Sequence, residues 1–247
     1  MKKLFLLLSV SLIVQELVAQ TQLVPPVIRA TNFAERLNYN FSPMQTSVLG
    51  MPMRSAELVG DSYLYPDWRP AVIMMYDDDK TLNNYLVRYD LNSDEFEFNF
   101  GKEIRVLKGN RVKSFALVDS ISMYTTYFMN GKDFVNKNDV PFDGFLQVLS
   151  DGTLPLLKRY EVFIRQPDFN MALNVGSIDY KVIKKEHRYY MKEGKLHNLP
   201  KGKSAILNLM SDEKESVNKF VKVNQLKFTE DHHLALLFDH YNNLKKK

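Results

Sequence analysis

The stretch Tyr85-Leu-Val-Arg-Tyr-Asp-Leu-Asn-Ser-Asp-Glu-Phe-Glu-Phe-Asn-Phe100 decides the fold class of this chain. On both sides of its centre, aromatic or aliphatic residues alternate with polar ones, a period of two that is typical of half-buried strands. The segment Asp90–Asp94 between the two runs is rich in short polar side chains, which close turns by hydrogen bonding to nearby backbone groups. The stretch therefore predicts a β-hairpin.

Further strand–turn–strand patterns follow along the chain. Short apolar runs at 103–107 and 114–118 flank one tight turn, and runs at 145–149 and 154–164 flank another. Asn-Gly and Asp-Gly dipeptides predict two-residue hairpin turns, because type I′ turns need positive φ at both central residues. The turns are predicted at 108–110, Asn130-Gly131, Asp151-Gly152 and 192–195. We expect an antiparallel meander.

After Pro200 the apolar residues recur with a helical period. The pattern predicts three short helices, with Asp212 and Glu215 as a capping box for the second and Thr229 as the cap of the third. Strand repeats followed by helices, without βαβ alternation, indicate an α+β, mainly β fold, in which a C-terminal block of two to three short helices follows the sheet. The predicted divisions are a signal peptide (1–19), a poorly ordered leader (20–50), a β-rich domain (51–200) and a helical segment packed on it (201–247).

The first nineteen residues have the three parts of a secretory signal peptide. Lys2 and Lys3 precede an uncharged run from Leu4 to Val14, and Leu17-Val-Ala19 is a small-residue cleavage site. Spanning a bilayer takes about 20 apolar residues, so the pattern favours cleavage over anchoring. We expect an exported protein, periplasmic or extracellular, without a transmembrane segment in the mature chain.

Composition narrows the function classes further. The chain has no cysteine, which removes disulfides, thiol catalysis and thiolate metal sites. Residues 21–180 carry four more acidic than basic side chains, and 181–247 carry seven more basic than acidic ones. Such asymmetry can mark a polyanion-binding tail, but a charge spread over so long a stretch is more typical of a solvated helical surface. Because the protein is also predicted to be exported, we expect no nucleic-acid partner.

The motifs that could carry catalysis or bind a metal are incomplete. Gly202-Lys-Ser204 lacks the earlier glycine of a phosphate-binding loop, and Asp77-Asp-Asp79 lacks the glycine and glutamate of an EF-hand, although a looser calcium site stays open there. Ser211-x-x-Lys214 lacks the companion motifs of the penicillin-recognising enzymes. None of the five histidines lies three or four residues from another, the spacing that places two ligands on one helix face. We predict no metal, no cofactor and no assignable catalytic residue.

The segment Tyr63-Leu-Tyr-Pro-Asp-Trp68 is the most suggestive surface feature and contains the single tryptophan of the chain. Aromatic side chains in an irregular, proline-containing segment offer flat faces to sugars, peptides or partner proteins. The alternative is that Trp68 closes one end of the sheet core. We take Tyr63, Tyr65 and Trp68 as the predicted binding residues.

Several short motifs together resemble uncharacterised exported β-rich proteins of the Bacteroidetes type. The motifs are Gly60-x-x-Tyr-Leu64, Val87-Arg-Tyr-Asp90, Glu95-Phe-Glu-Phe98, the run 145–149, Gly152-x-Leu-Pro-Leu-Leu-Lys158 and Tyr241-Asn-Asn-Leu244. The resemblance covers most of the chain after the signal peptide. It implies a location in the cell envelope and no particular activity or catalytic residue.

Two functions remain open at this level. The first is a non-catalytic envelope protein that binds another envelope protein through sheet edges or the Trp68 segment. The second is a periplasmic or secreted hydrolase that uses carboxylates which the sequence does not single out. A concave pocket with paired acids of raised pKa would favour the hydrolase, and an exposed apolar or aromatic patch would favour the binding protein.

Overall fold

A computed structural model describes residues 56–77 and 80–246. The predicted signal peptide and leader lie outside the described residues, as do two of the three aspartates at 77–79. No helix in the described part is long and apolar enough to cross a membrane. The described strands are β1 (Leu58–Val59), β2 (Arg69–Met75), β3 (Thr81–Asp90), β4 (Glu95–Asn99), β5 (Ile104–Lys108), β6 (Val112–Val118), β7 (Thr125–Asn130), β8 (Val135–Asn136), β9 (Phe145–Ser150), β10 (Leu156–Arg165), β11 (Tyr180–Lys192) and β12 (Lys195–Asn198).

These strands form one sheet in the order β5-β4-β3-β2-β6-β7-β9-β10-β11-β12-β8, with β1 beside β11. Neighbouring strands are antiparallel except for the short pairs β1/β11 and β8/β12, which are parallel. Three helices follow the last strand: α1 (Lys203–Asn208), α2 (Lys214–Val223) and α3 (Asp231–Lys245). The predicted fold class, a mainly antiparallel sheet followed by a block of short helices, is confirmed.

Three of the predicted hairpins are present. Strands β3 and β4 pair across the Asp90–Asp94 turn, where the Asp90 carboxylate accepts the N–H of Asn92 at 2.9 Å. Strands β9 and β10 also pair, but the two-residue turn predicted at Asp151-Gly152 is wrong: the connection runs from 151 to 155, and of the two residues only Gly152 has positive φ. Strand β11 pairs with β12 across Glu193-Gly194, both at positive φ. Local turn chemistry therefore sets the β3–β4 and β11–β12 connections.

The hairpin predicted at Asn130-Gly131 is wrong. Asn130 has a φ of −66°, its side chain accepts the N–H of Lys132, and Gly131–Asp133 form a 3₁₀ turn. The buried Asn130 amide also donates to the carbonyls of Gly109 and Val112. Because these long-range bonds fix Asn130 in an extended conformation, β7 pairs with β9 and not with β8.

The meander is also interrupted at 108–110. Strands β5 and β6 exist as predicted, but β5 pairs with β4, whereas β6 lies between β2 and β7. Gly109–Arg111 form a 3₁₀ turn that carries the chain from one edge of the sheet to its middle. A turn signal predicts the reversal but not which strand the chain joins next.

The buried residues form three clusters. The largest lies on one face of β2–β7 and closes through aromatic contacts across the curved sheet, such as Phe96 to Phe115 and Phe96 to Phe145, with ring centroids 4.9 and 5.5 Å apart. The second packs the helices against β9 and β10, and the third lies beneath β12. The curvature brings the β3–β4 turn towards β10, which places the site described below.

Both predicted helix caps are wrong. Helix α2 follows Glu213 and α3 follows Glu230, and neither residue makes a side-chain cap. The Asp212 carboxylate accepts the Tyr241 hydroxyl at 3.1 Å and pairs with Lys245 at 2.5 Å, so it joins the start of α2 to the end of α3. The Asp212 carboxylate therefore binds residues that are distant in the sequence, and not the backbone N–H groups that the capping pattern predicts.

Helix α3 is held to the sheet through two buried polar side chains, Lys158 on β10 and Asn242 on α3. Lys158 on β10 donates to Asp231 at 2.7 Å, and Arg188 on β11 donates to the other oxygen of the same carboxylate at 2.5 Å. Asn242, which is 1% exposed, accepts the N–H of Leu154 at 2.7 Å and donates to the carbonyl of the same residue. These contacts hold the helical block against the β9–β10 hairpin.

Candidate functional site

Strand β10 is longer than its neighbour β9, and half of one edge is left open. Its residues 156–159 pair with β9, whereas 156–165 pair with β11 along the whole strand. Beyond Arg159, no strand in the described part of the chain pairs with β10 on the β9 side. An open edge presents unpaired N–H and C=O groups, which can pair with an added strand.

The register identifies which backbone groups point to the open edge. The N–H of Met191 donates to the carbonyl of Pro155 at 3.1 Å, and the β10/β11 register continues without a shift to Arg165. In an antiparallel pair, alternate residues turn their backbone groups to the same neighbour. Odd-numbered residues of β10, like Pro155 before it, therefore direct their backbone groups to β11. Even-numbered residues, such as Val162 and Ile164, direct their N–H and C=O groups to the open side.

A cleft of about 530 Å³ lies along this edge. It is lined by five consecutive residues of β10, 159–163, by 143–145 where β9 begins, and by Tyr89, Leu91, Asn92 and Asp94 around the β3–β4 turn. Successive side chains of a strand point to opposite faces. A cleft that contacts five in a row therefore runs beside the strand edge and not over one face.

The cleft carries more negative than positive charge. Three carboxylates line it, from Asp94, Asp143 and Glu161, together with one guanidinium, from Arg159. Arg159 and Glu161 form an ion pair at 2.7 Å, so they largely neutralise each other. Asp143 is exposed and has no hydrogen-bond or ion-pair partner among the described residues. The uncompensated charge therefore comes from Asp94 and Asp143.

Asp94 is the most perturbed acid of the cleft. Burial raises its pKa, the hydrogen bond from the Tyr89 hydroxyl (2.7 Å) works against the rise, and the negative charge of Asp143 adds to it. Its side chain also lies against Gly109, where an added Cβ would fall 2.0 Å from the nearer carboxylate oxygen. Asp94 thus packs against Tyr89 and Gly109, and it also lines the cleft.

Two tyrosines supply the floor of the cleft. Burial raises the pKa of Tyr89 well above its ordinary value, and it also raises the pKa of Tyr160, to about 12. The Tyr160 hydroxyl donates to Gln147 at 2.8 Å, and its ring lies 4.5 Å from the Lys158 ammonium. Both hydroxyls therefore remain protonated at neutral pH, and the rings contribute apolar surface.

The structure places Tyr63 and Trp68 together, around an arginine. The Arg88 guanidinium lies 4.1 Å from the ring centroids of both residues and donates to Glu97 at 2.6 Å. The Tyr63 hydroxyl donates to the same carboxylate at 3.0 Å. One face of each ring is therefore already occupied by Arg88.

Tyr65 lies apart from this group. The Arg69 guanidinium is 3.8 Å from its ring centroid, and the ring packs against the main core. None of Tyr63, Tyr65 and Trp68 lines the cleft itself, and their role in binding stays a prediction.

One group in the described part of the chain has the composition of a metal site. Glu230, His232 and His233 bring one ligand atom each to within 4.8 Å of one another. The histidine spacing does not reveal this group, because Glu230 precedes α3 and the two histidines are adjacent. However, the Lys227 ammonium pairs with the Glu230 carboxylate at 3.0 Å. The backbone N–H of Lys227 donates to Nδ1 of His233 at 3.2 Å. These contacts, together with the positive end of the helix dipole, disfavour a cation there.

No family model, no curated protein and no solved structure matches this chain. The resemblance to exported Bacteroidetes proteins stays a prediction. Sequence reasoning did not find the cleft, but one signal was present: the predicted strand at 154–164 is about twice as long as its predicted partner at 145–149. Where a strand extends beyond its shorter partner, its edge is left unpaired.

Proposed function

We propose that this protein is a non-catalytic binding protein of the cell envelope, which takes an extended segment of a partner protein as an added strand at the open edge of β10. The observation that carries the proposal is the pairing of β10, on one side only, from Tyr160 to Arg165. Strand addition uses main-chain hydrogen bonds for affinity and adjacent pockets for side-chain selection. The cleft beside this edge supplies such a pocket.

The shape of the neighbouring elements supports this use of the edge. Strand β9 begins at Phe145, so the residues before it do not pair with β10. The N–H of Gly131, which follows β7, donates to the Gly144 carbonyl at 2.7 Å and holds 143–144 on the β7 side. The space that β9 would otherwise occupy is the cleft. A segment of three or four residues added there would continue the sheet in the line of β9.

The test uses a substitution that removes one edge donor and leaves the β10/β11 ladder intact. Val162→Pro deletes an N–H that points to the open side, a position at which proline is tolerated in strands. Val162→Ala is the matched control, because it also shortens the side chain but keeps the N–H. The probes are labelled peptides Thr-Val-X-Val-Thr, with X varied, titrated by nuclear magnetic resonance.

We expect the peptides to shift the amide resonances of Val162 and Ile164 in the parent protein and in Val162→Ala. One hydrogen bond contributes about 0.5–1.5 kcal/mol, so Val162→Pro should weaken binding by about two- to tenfold while thermal unfolding stays close to that of Val162→Ala. Binding that leaves these amides unshifted, or equal binding by both variants, would contradict strand addition at this edge.

A hydrolase is the second candidate, favoured by the raised pKa of Asp94 next to Asp143 in a concave cleft. Asp94 would serve as the acid and Asp143 as the base or nucleophile of a glycoside hydrolase. The contacts of Asp94 with Tyr89 and Gly109 account for its burial without catalysis, and for this reason we rank binding first. Hydrolysis of aryl glycosides that is lost in both Asp94→Asn and Asp143→Asn would reverse this ranking.

A further inference from the structure

We infer that the cleft beside β10 selects a basic side chain, a lysine or arginine of the added segment, which would lie between Asp94 and Asp143. The inference rests on the proposed function and specifies which partner segments fit the site. It depends on three features of the cleft: the charges that face it, the groups that compensate them, and the apolar surface beside them.

The charges that face the cleft come from three elements. The β3–β4 turn contributes Asp94, the residues before β9 contribute Asp143, and β10 contributes the Arg159–Glu161 ion pair. His187 on β11 also approaches Glu161, at 3.4 Å. The two aspartates are thus left as the charge available to a ligand.

Groups of the protein compensate these two aspartates only in part. Lys108 exerts an electrostatic effect on Asp94, but its ammonium is bound to Glu95, which contributes a negative charge of its own. The Tyr89 hydroxyl donates to Oδ1 of Asp94, which leaves Oδ2 without a side-chain donor among the described residues. Two carboxylates that line one cleft and are only partly compensated favour a cation there and repel an anion.

The surface next to these acids suits a long aliphatic stem. Leu91 and Val162 are half-buried, Tyr160 packs against the core, and the Phe163 side chain is 42% exposed. Lysine and arginine side chains lay their methylene groups along apolar surface while the charged end reaches polar partners. One face of each ring is already occupied by a lysine ammonium, Lys158 at 4.5 Å from Tyr160 and Lys185 at 4.2 Å from Phe163, so the rings contribute apolar surface only. The cleft therefore offers both parts of such a side chain a suitable contact.

Proton linkage supplies a second signature. Because burial and the charge of Asp143 raise the pKa of Asp94, part of the Asp94 population carries a proton in acid solution. A bound ammonium or guanidinium favours the ionised carboxylate, so ligand binding releases a proton over that pH range. Affinity for a basic segment should therefore rise with pH through the pKa of Asp94, and a neutral segment should show no such rise.

The experiment compares Thr-Val-X-Val-Thr peptides with X as lysine, norleucine or glutamate, by titration of the full-length protein followed through the Val162 and Ile164 amide resonances. Norleucine keeps the aliphatic stem and lacks the charge. We expect the lysine peptide to bind about tenfold more tightly than the norleucine peptide, a difference typical of a charged hydrogen bond, and the glutamate peptide to bind most weakly.

Asp143→Asn is the decisive variant, because the exposed Asp143 carboxylate supports no other described residue. It should reduce the advantage of lysine over norleucine at least threefold. Equal affinities for lysine and norleucine, with the edge amides still shifted, would overturn the charge selection and leave strand addition intact. Failure of every peptide to shift these amides would overturn the proposed function itself.

Discussion

The Lys158–Asp231 ion pair provides a quantitative test of how the helical block is held on the sheet. Lys158 is 6% exposed, and its ammonium is 2.7 Å from Asp231, while Glu186, the other carboxylate near it, lies 3.4 Å away and is largely solvated. Asp231→Asn leaves this buried ammonium without its main partner. Breaking a buried pair in this way costs about 3–5 kcal/mol, and because Asp231 keeps some solvent contact we expect about 3 kcal/mol.

A loss of that size lowers the melting temperature of a domain of this length by about 6–12 °C. The assay is thermal and urea unfolding of the parent, Asp231→Asn and the control Glu230→Gln, which removes the same charge one residue earlier from a side chain that is 40% exposed and pairs with the largely exposed Lys227. A Lys158→Met, Asp231→Asn double variant should regain part of the loss, since it no longer buries an unpaired ammonium. Equal stabilities of Asp231→Asn and Glu230→Gln would contradict the expected cost of an unpaired Lys158 ammonium.

The same pair sets a dependence on pH. Burial alone would raise the pKa of Asp231, but the hydrogen bonds from Lys158 and Arg188 outweigh it and hold the pKa below the ordinary value. A carboxyl with a lowered pKa in the folded state contributes stability that is present above its unfolded pKa of about 3.9. The difference between the parent and Asp231→Asn should therefore be full at pH 6–7 and disappear as the pH falls through the folded pKa.

Two further predictions concern other parts of the molecule. Asn242→Ala should lower the free energy of unfolding by about 2–4 kcal/mol, measured by urea denaturation, because it leaves both backbone groups of the buried Leu154 unpaired; a loss within 0.5 kcal/mol would contradict this. Trp68→Ala should lower stability by about 0.5–2 kcal/mol through the loss of the Arg88 stacking contact, and leave peptide binding at β10 unchanged. Loss of peptide binding in Trp68→Ala would indicate that the binding site lies at the Tyr63–Trp68 segment and not at β10.

The sequence was sufficient for the local features of the fold. The alternation around Tyr85–Phe100 and the turn residues at 193–194 produce the expected hairpins, because neighbouring residues determine these structures. The β9–β10 hairpin also forms, but its connection is longer than the Asp-Gly pair predicts and is bonded by the distant Asn242. The helical period after Pro200 likewise gives three helices. Local periodicity and turn chemistry fail where distant residues decide, as at Asn130, whose amide is fixed by the carbonyls of Gly109 and Val112.

The candidate site depends on such distant relations. Asp94 and Asp143 are far apart in the sequence, and only the curvature of the sheet brings the β3–β4 turn beside β10. Likewise, the sequence predicts aromatic binding surfaces at Tyr63 and Trp68, but it does not reveal that Arg88 lies between the two rings. The unequal lengths of the two strands around Gly152 remain the one local signal that pointed to the open edge.

Amide hydrogen exchange at Val162 and Ile164, with and without a saturating Thr-Val-Lys-Val-Thr peptide, is the sharpest test of strand addition at the open edge of β10. In the free protein these two amides point to the open side of β10 and should exchange quickly, whereas the alternate amides of 161 and 163 are bonded to β11 and should be protected. We expect the peptide to slow amide exchange at Val162 and Ile164 and to leave exchange at 161 and 163 unchanged. Amides at Val162 and Ile164 that are already protected in the free protein, or that stay unprotected with the peptide bound, would contradict it.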